Sequence, residues 1–511
     1  MRTSNSIKNI KYNIVSQILS LIVQFVSRTV FIKILGKQYL GISGLFSNIL
    51  TILSLADMGI GTVLVYSMYK PLALNDEKKL KQLMSMYKKI YNIIALIVLC
   101  LGLCITPFLE IFIGQHDISN IHFIFILYLI NTVVSYLCVY KISIINADQK
   151  NYIVTIRQQI INLIANIVMI MTLLLTHNFI VYLIFQIFFS ILSNIYISKL
   201  AEKMYPFITN INGYKLSKEE QQIIKKDTFA MLLHKIGGVV VAGTDSILMS
   251  MMIGLDAVGI YSNYLLIINA IKRFTSQFFS SISASVGNLN VQKDNEYTYT
   301  VFKRIFFGNF WIFAFCSLCL FSLLNPFINL WIGKEYTFSI NIVFAIVLSF
   351  YVDGMRQTVL LFRDAMGIFT KDKMKPIIEA IVNLLLSIVL TVKFGIIGII
   401  LGTILSMLFV CVYVEARVLF KYGFKKSGLE FLKIYLKYFI ISFIAFIIIC
   451  LFDFVYLSNK YVLFGLRMLY TIIMSNIIII IFTYRTDEFR YFLNLILKKI
   501  GIEKVKKNEK I

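Results

Sequence analysis

The amino-acid sequence predicts an all-α integral membrane protein with about fourteen transmembrane helices, arranged as two six-helix lobes in a parallel pseudo-twofold repeat plus two C-terminal helices. Three observations support this class. Hydrophobic residues make up 59% of the 511 positions, and charged residues only 15%. Apolar stretches follow one another along the whole chain, and basic residues cluster in every second break between them. We therefore expect hydrocarbon, rather than water, to surround most of the molecule.

The apolar stretches set the predicted number of helices. About 20 apolar residues are needed to cross a hydrocarbon layer roughly 30 Å thick, and most of the stretches reach or approach that length. The mean hydropathy of +0.80 fits a chain built from such segments. The predicted helices cover residues 12–35, 40–66, 90–113, 121–145, 157–175, 179–200, 229–253, 257–283, 303–325, 338–361, 377–392, 396–416, 434–452 and 461–483.

The basic residues predict the orientation of these helices. The formal net charge is +24, and the positive-inside rule assigns the breaks that are rich in lysine and arginine to the cytoplasm. The predicted outer breaks are nearly bare and contain Lys37, His116, Asp117, Asn178, Asp256, Lys334, Lys393 and Lys460. The basic N-terminus and tail fall on the rich side, so both termini are predicted to be cytoplasmic. Because topology accounts for the charge, nucleic acid is not expected as a partner.

Two short motifs recur in the same order and predict an internal repeat. Gly36 and Gly41, in the link between helices 1 and 2, return as Gly254 and Gly259, 218 residues further on. The segment PFLEIFIG, which begins at Pro107, returns as PFINLWIG 219 residues later. The displacement spans six helices, an even number, so we expect the two copies to share one orientation in the membrane.

The repeat divides the chain into predicted domains. Residues 1–200 form the N-lobe with helices 1 to 6, and residues 201–228 form a cytoplasmic linker. The C-lobe with helices 7 to 12 covers residues 229–416, and helices 13 and 14 lie within 417–484. Residues 485–511 form a basic cytoplasmic tail, which has the pattern of an amphipathic segment at the inner surface.

No catalytic or metal-binding motif stands out in the sequence. There is no phosphate-binding loop of the G-x-x-x-x-G-K-[ST] type and no H-E-x-x-H pattern. Cys316 and Cys319 form C-x-x-C, but they lie in an apolar helix without a second pair, which favours a packing role. We therefore expect neither an enzyme nor a cofactor.

One wall of helix 1 is predicted to face a water-filled cavity. Asn13, Gln17, Gln24 and Arg28 follow one another at spacings of 4, 7 and 4 residues, which puts them on one helix face. A charged side chain inside a membrane costs roughly 2.5 to 3.5 kcal/mol unless it faces protein or water. Arg28, with Gln24 and Gln17 below it, is thus expected to be buried and to line this cavity; the alternative is that Arg28 extends to the outer headgroups.

Other ionisable residues inside predicted helices are candidates for ion coupling or gating, with simple structural pairing as the alternative. Asp353 and Arg356 lie three residues apart and can neutralise one another. Lys272 and Arg273 lie near an inner helix end, where extension to the headgroups is expected. The candidates for coupling or gating are Asp57, His234, Asp245, Asp353 and Arg356.

Residues 28–73 resemble bacterial polysaccharide flippases of the Wzx type, which belong to the multidrug, oligosaccharidyl-lipid and polysaccharide exporter superfamily. The run LGKQYLGISGLF followed by LSLADMGIGT carries the resemblance. Similar proteins often have Glu at the position of Asp57, so the charge is kept. The resemblance implies a V-shaped pair of six-helix bundles, like that of the MATE transporters, in the plasma (inner) membrane of a bacterium.

The same resemblance implies a function. The expected substrate is an oligosaccharide repeat unit on undecaprenyl pyrophosphate, moved to the outer leaflet for capsule, O-antigen or related polymers, with Arg28 at the pyrophosphate. A polysaccharide polymerase and chain-length machinery are the expected partners, and Na⁺ or H⁺ the candidate coupling ion. Three alternatives remain: a cation-coupled multidrug exporter of the same superfamily, a membrane glycosyltransferase or polymerase, and a membrane scaffold without transport activity. The glycosyltransferase or polymerase is less favoured because no predicted outer break is long, and the scaffold is less favoured because charges inside a membrane are costly.

Overall fold

The protein is helical throughout in the computed structural model. The structure describes residues 2–54, 60–114, 116, 118–292, 295–451 and 458–500, and these residues contain no β-strand. The prediction of an all-α fold is therefore confirmed.

Nineteen α-helices follow one another along the described residues. Those of the first half are α1 (Arg2–Leu53), α2 (Ile60–Ala73), α3 (Glu77–Ile105), α4 (Leu109–Ile113), α5 (Ile121–Leu137), α6 (Val139–Ala147), α7 (Asn151–Thr176), α8 (Phe179–Met204) and α9 (Lys218–Met252). Those of the second half are α10 (Leu255–Gln292), α11 (Asn295–Trp331), α12 (Ile340–Met355), α13 (Gln357–Ala365), α14 (Lys375–Phe394), α15 (Ile396–Ser406), α16 (Tyr413–Val418), α17 (Gly428–Cys450), α18 (Lys460–Thr483) and α19 (Asp487–Ile500). Two π-helical stretches, Met407–Val412 and Leu419–Phe424, flank α16.

These helices form a multi-pass membrane protein. Within the described residues, ten helices are long and apolar enough to cross a membrane, or eleven if the bent pair α5 and α6 is one span. Each of the fourteen predicted spans overlaps at least one helix. The first two predicted spans both begin in α1, whose two parts are separated at Gly36, where the backbone angles are not helical (φ +79°, ψ −172°). A total of fourteen spans is therefore compatible with the helix layout.

Short polar side chains start several of the helices. The Asn178 side chain accepts hydrogen bonds from the backbone N–H groups of the first turn of α8, and Asn459 does the same for α18. Ser217 and Glu220 cap the start of α9 reciprocally. Each cap satisfies N–H groups that the helix itself leaves without partners. This is the local reason why these polar breaks begin new helices.

An ion pair joins the first turns of α3 and α9. Lys79 donates a hydrogen bond to the carboxylate of Glu220, and this bond lowers the pKa of Glu220 below its usual value. The pair contributes stability above the unfolded-state pKa of Glu220, about 4.3, and that contribution is lost as the pH falls through the lower folded-state pKa.

The chain separates into two compact units, residues 1–262 and residues 263–511. In the first unit α1 packs along α7 and α9, and α5 packs against α3 and α8. In the second unit α11 packs against α12, α17 and α18. That the N-lobe, residues 1–200, and the C-lobe, residues 229–416, repeat one fold and superpose stays a prediction.

Aromatic side chains fill the core of the second unit. Phe310 of α11 stacks on Tyr438 of α17 with ring centroids 4.3 Å apart. The next residue of α11, Trp311, stacks on Phe489 of α19 with ring centroids 6.0 Å apart. The amphipathic segment predicted after Arg485 thus begins as a helix whose aromatic residues pack on α11; residues 501–511 of the tail lie outside the described part.

Candidate functional site

The two copies of the first repeated motif pack against each other. We call this contact the hairpin junction; it consists of residues 36–41, in the kinked part of α1, and residues 254–259, where α10 begins. Gly36 and Gly254 have φ angles of +79° and +123°, in the region that favours glycine. Both turns therefore depend on the glycines through which the repeat was recognised.

The junction is reciprocal. A Cβ atom on Gly41 would lie 2.1 Å from the carbonyl oxygen of Leu255, and one on Gly259 would lie 2.3 Å from the carbonyl oxygen of Lys37. The 218-residue displacement that relates Gly41 to Gly259 also relates Lys37 to Leu255. The two contacts are thus the same contact made twice, as a local twofold relation requires. Only residues without side chains allow backbones to approach this closely.

One ion pair accompanies the junction. Lys37 Nζ lies 2.7 Å from a carboxylate oxygen of Asp256, and both side chains are about 40% exposed (43% and 42%). An exposed pair of this kind contributes at most about 1 kcal/mol. Backbone packing, rather than charge, therefore holds the junction together.

Arg28 lies beside this junction. The residue is half-buried, and its guanidinium donates a hydrogen bond through Nη2 to Ser262 Oγ. The Ser262 hydroxyl in turn donates to the carbonyl oxygen of Gly259 at 2.6 Å. Tyr128 of α5 and Tyr182 of α8 lie close enough to interact electrostatically with Arg28. The structure therefore directs Arg28 into the protein and toward α10.

The polar side chains of α1 form part of its contact with α7. Asn13 accepts a hydrogen bond from Thr155 at 3.3 Å. Ser16 and Ser20 donate to Gln159 Oε1 at 2.9 and 3.0 Å. Hydroxyl groups that the sequence analysis did not single out thus carry much of this interface. Gln17 is half-buried, whereas Gln24 is exposed, so the four predicted wall residues have different environments.

Three predicted coupling residues belong to the first unit. Asp57 lies outside the described residues. His234 lies in α9, but its side chain is not among those described. Asp245 is buried, with 8% of its surface exposed, and lies next to Ser246, which accepts a hydrogen bond from Asn48 at 2.8 Å. Asp245 thus lies on the part of α9 that packs against α1.

The other two predicted residues, Asp353 and Arg356, belong to a buried charge network in the second unit. Arg356 donates two hydrogen bonds to the Glu415 carboxylate, at 3.0 and 2.7 Å. Lys375 donates to the same carboxylate, which is fully buried. Asp353 lies 2.7 Å from Lys272 Nζ and 3.5 Å from Arg356. The predicted pairing of Asp353 with Arg356 is therefore one of the longer contacts of a larger set.

Sequence reasoning missed most of this network. Lys272 was assigned to the headgroup region, and Glu415 and Lys375 were not singled out as site residues. The available signal was Glu415 itself, a lone carboxylate within the apolar run 396–416. A buried ion is stable only with good partners. Its partner Arg356 is 59 residues away in sequence, so the pair could not be read from local spacing.

A polar cavity of about 400 Å³ adjoins this network. Lys272, Arg273 and Asp353 contribute charged groups to its lining, and Asn269, Ser276 and Gln357 contribute uncharged polar groups. Amides and hydroxyls of this kind suit the hydroxyl groups of a sugar, and the exposed Arg273 suits a phosphate, since Lys272 is paired with Asp353. Among the described residues, no group of three or more His, Cys, Asp or Glu side chains is placed to hold a metal ion.

Solved structures with the same fold are transport proteins. "Lipid II flippase MurJ, inward closed conformation" aligns with a TM-score of 0.64 and 19% identity, over 95% of this chain and 100% of that chain. An inward-facing multidrug resistance MATE family transporter of the MOP superfamily aligns with a TM-score of 0.59 and 12% identity, over 78% of this chain and 94% of that one. The MATE transporter VcmN of Vibrio cholerae gives 0.53 and 14%, over 83% and 99%. These likenesses establish the fold.

The family follows from the sequence itself. No curated protein matches it closely enough to count as a relative. The family model described as "Polysaccharide biosynthesis protein", however, matches residues 6–285, which is more than half of the 511-residue chain and includes both halves of the hairpin junction. The protein therefore belongs to the polysaccharide biosynthesis protein family.

Proposed function

We propose that the protein is a flippase that moves oligosaccharide repeat units, linked to undecaprenyl pyrophosphate, from the inner to the outer leaflet for a capsule-like or O-antigen-like polysaccharide. Family membership and the fold support this proposal. The observation that carries it is the position of Arg28, a half-buried residue whose guanidinium bonds to Ser262 beside the hairpin junction.

The chemistry of the substrate explains the choice of arginine. Lipid cannot solvate a pyrophosphate, so the protein has to replace its hydration. A guanidinium remains charged where water is scarce, and its planar set of donors matches two phosphate oxygens at once. In our proposal the pyrophosphate replaces the Ser262 hydroxyl as a partner of Arg28, because a bond between two charged groups is stronger than a bond to a hydroxyl.

The same exchange would couple substrate binding to opening. Ser262 bonds both to Arg28 and to the carbonyl of Gly259, so drawing Arg28 away removes one link between α1 and α10. The junction itself consists of glycine contacts and one exposed ion pair. Such hairpins can separate without moving large side chains past one another, which keeps the barrier to opening on the predicted outer side low.

The polar cavity of the second unit is the proposed place for sugars and phosphate. Lys272 is neutralised by Asp353, whereas the exposed Arg273 offers a second cation at the cavity. The protein would work in the plasma membrane of a bacterium with both termini in the cytoplasm, and would deliver its product to a polymerase and chain-length machinery. Na⁺ or H⁺ is the proposed coupling ion, with Asp245 as its candidate carboxylate.

A cation-coupled multidrug exporter is the second candidate function. The specific observation in its favour is the burial of Asp245 in α9, together with a fold that MATE transporters share. A buried carboxylate suits the exchange of a proton or Na⁺ against a cationic drug. The family favours the flippase, because its model describes polysaccharide biosynthesis.

Reconstitution tests the proposal directly. The purified protein is placed in liposomes whose inner leaflet carries a fluorescent lipid-linked oligosaccharide, and an impermeant glycosidase outside reports its arrival. We expect digestion to exceed that in protein-free liposomes and to depend on Arg28. If the protein exports a cationic dye and leaves the lipid-linked oligosaccharide undigested, it is a multidrug exporter instead. Cleavage or extension of the glycan by the protein itself would identify an enzyme.

A further inference from the structure

A second cavity, of about 360 Å³, lies between the end of α11, the loop after it and the start of α18. Lys334, Lys460 and Arg467 lie on its wall, and we call it the basic cavity. Leu330, Leu463 and Phe464 supply an apolar surface beside these cations. Among the residues that the structure describes, none of those that line the cavity carries a carboxylate. The nearby Glu335 folds back over the backbone of Gly333.

The charge of this cavity is unusual for its position. Lys334 and Lys460 both lie in breaks that the sequence predicts to be outside, where basic residues are few. They are 126 residues apart in the chain, and the fold brings them to one cavity. Both side chains are exposed, and neither forms an ion pair within the described residues. Two lysines that have no ion-pair partner among the described residues favour the binding of an anion.

The apolar groups extend from the lysines into the membrane. Along α18, Lys460, Leu463, Phe464 and Arg467 follow at spacings that put them on one helix face. Arg467 lies seven residues beyond Lys460, or about 10 Å further along the helix. Its guanidinium is anchored on α11 through a hydrogen bond to the carbonyl oxygen of Ser322 at 3.4 Å. The cavity therefore combines a cationic mouth at a helix end with an apolar wall at greater depth.

We propose that the basic cavity binds the phosphate of an anionic phospholipid in the outer leaflet. The headgroup phosphate would lie between Lys334 and Lys460, and the first part of an acyl chain would lie along Phe464 and Leu463. A soluble phosphate ion would use the lysines but gain nothing from the apolar wall, which is why a lipid is the better match. The site is separate from Arg28 and can be tested without measuring transport.

Native mass spectrometry of the purified full-length protein measures this binding. Phosphatidylglycerol should bind with higher affinity than phosphatidylcholine, whose headgroup carries no net charge. Each lysine near a membrane surface contributes about 1 kcal/mol to the attraction of an anionic lipid, so the Lys334→Ala/Lys460→Ala variant should lose about thirtyfold in affinity. The Lys334→Arg/Lys460→Arg variant should keep most of it. Both positions are exposed, so these variants should fold normally.

Lys393→Ala is the matched control. Lys393 is an exposed lysine in another predicted outer break, and it does not line the cavity. Its replacement should leave the affinity for phosphatidylglycerol unchanged. Equal binding of the two lipids, or an equal loss in the control, would overturn the proposal. Displacement of phosphatidylglycerol by excess inorganic phosphate would also overturn it, because the site would then be one for a free anion.

Discussion

Arg28 is connected to the hairpin junction by two hydrogen bonds in series, first to Ser262 and then from Ser262 to Gly259. The side chain therefore has two tasks in the proposed mechanism: it holds the closed junction and it offers its charge to the substrate. Lysine would keep the charge but would lose the planar arrangement of donors.

Replacing Arg28 should reduce transport. A charge-assisted hydrogen bond is worth roughly 1.5 to 3 kcal/mol, so Arg28→Ala should lower the initial rate about ten- to a hundredfold, with Arg28→Lys in between. Surface polysaccharide in a flippase-deficient strain and the liposome assay both measure this effect. Lys33→Ala is the control, since Lys33 is an exposed cation of the same helix. Full transport by Arg28→Ala at a normal membrane level would show that Arg28 does not bind the substrate and that its bond to Ser262 is structural at most.

Glu415 presents the opposite situation, a charge whose partners are all groups of the protein itself. It is fully buried and accepts hydrogen bonds from Arg356 and Lys375. Burying such a group is costly, and the network is tolerable because its charges balance once Glu379, 3.9 Å from Lys375, is counted. The three cations are Lys272, Arg356 and Lys375, and the three carboxylates are Asp353, Glu379 and Glu415. Through these contacts the network ties the end of α12 to α14 and α16.

Breaking this network should destabilise the protein. Removing one partner of a buried ion pair costs about 3 to 5 kcal/mol, because the other charge remains buried without compensation. Arg356→Met and Glu415→Gln should therefore lower the apparent melting temperature in detergent and the amount of protein in the membrane. Lys426→Ala removes an ion pair with the exposed Glu296 and a contact with the Tyr299 ring, each worth about 1 kcal/mol or less, and should change much less. A normal melting temperature for Glu415→Gln would mean that the network is not needed for stability.

At the scale of the helices, the repeated motifs acquire a physical meaning. The sequence predicts two tight links of similar type, and the structure packs them against each other through Gly41 and Gly259. The glycines recur because both copies require positive φ angles and close backbone contact. The second repeated motif also ends at glycines with positive φ, Gly114 at +69° and Gly333 at +112°.

A side chain at the junction should keep it from closing. A methyl group on Gly41 would lie 2.1 Å from the Leu255 carbonyl oxygen, and backbone cannot move aside easily. A thiol crosslinker should join Lys37→Cys to Asp256→Cys efficiently, and much less so when Gly41→Ala or Gly259→Ala is added. Gly465→Ala in α18 is the control, because its methyl group would meet nothing within 4 Å. Undiminished crosslinking in the Gly41→Ala background would contradict the assignment of a closed junction.

For the whole molecule, the topology rests on the alternation of basic breaks and is independent of the family. Breaks before and after a span lie on opposite sides of the membrane. One span too many or too few would therefore move every later break to the wrong side. The number and length of the observed helices are compatible with the predicted pattern, whereas the side of each break remains a prediction.

Reporter fusions determine these sides. We expect a cytoplasmic signal after Lys81, Lys218, Lys373, Lys426 and Lys504, and an outside signal after His116, Asn178 and Lys334. The physical reason is that lysine and arginine resist translocation during insertion. Reversed signals at two neighbouring fusion sites would contradict the fourteen-span topology. A cytoplasmic signal after Lys334 would also remove the basis for an outer-leaflet lipid site.

The sequence by itself determined that this protein lies in a membrane, that it is helical, where its spans approximately lie and that it contains an internal repeat. These features depend on local properties: an apolar run of about 20 residues is stable only in hydrocarbon, and only as a helix. Gly36, Gly254 and Arg28 could be singled out for the same reason, since a glycine between two helices or a cation within an apolar run is unusual in its immediate neighbourhood.

Only the tertiary structure decided which residues meet. It packed Gly41 on Leu255, placed Glu415 between Arg356 and Lys375, and brought Lys334 and Lys460 to one cavity. Each of these contacts joins helices that are far apart in the chain. The membrane makes all helices similar in hydropathy, so composition carries little information about which faces pack together. Shape, hydrogen bonds and charge pairing between helices make that choice, and they exist only once the helices are assembled.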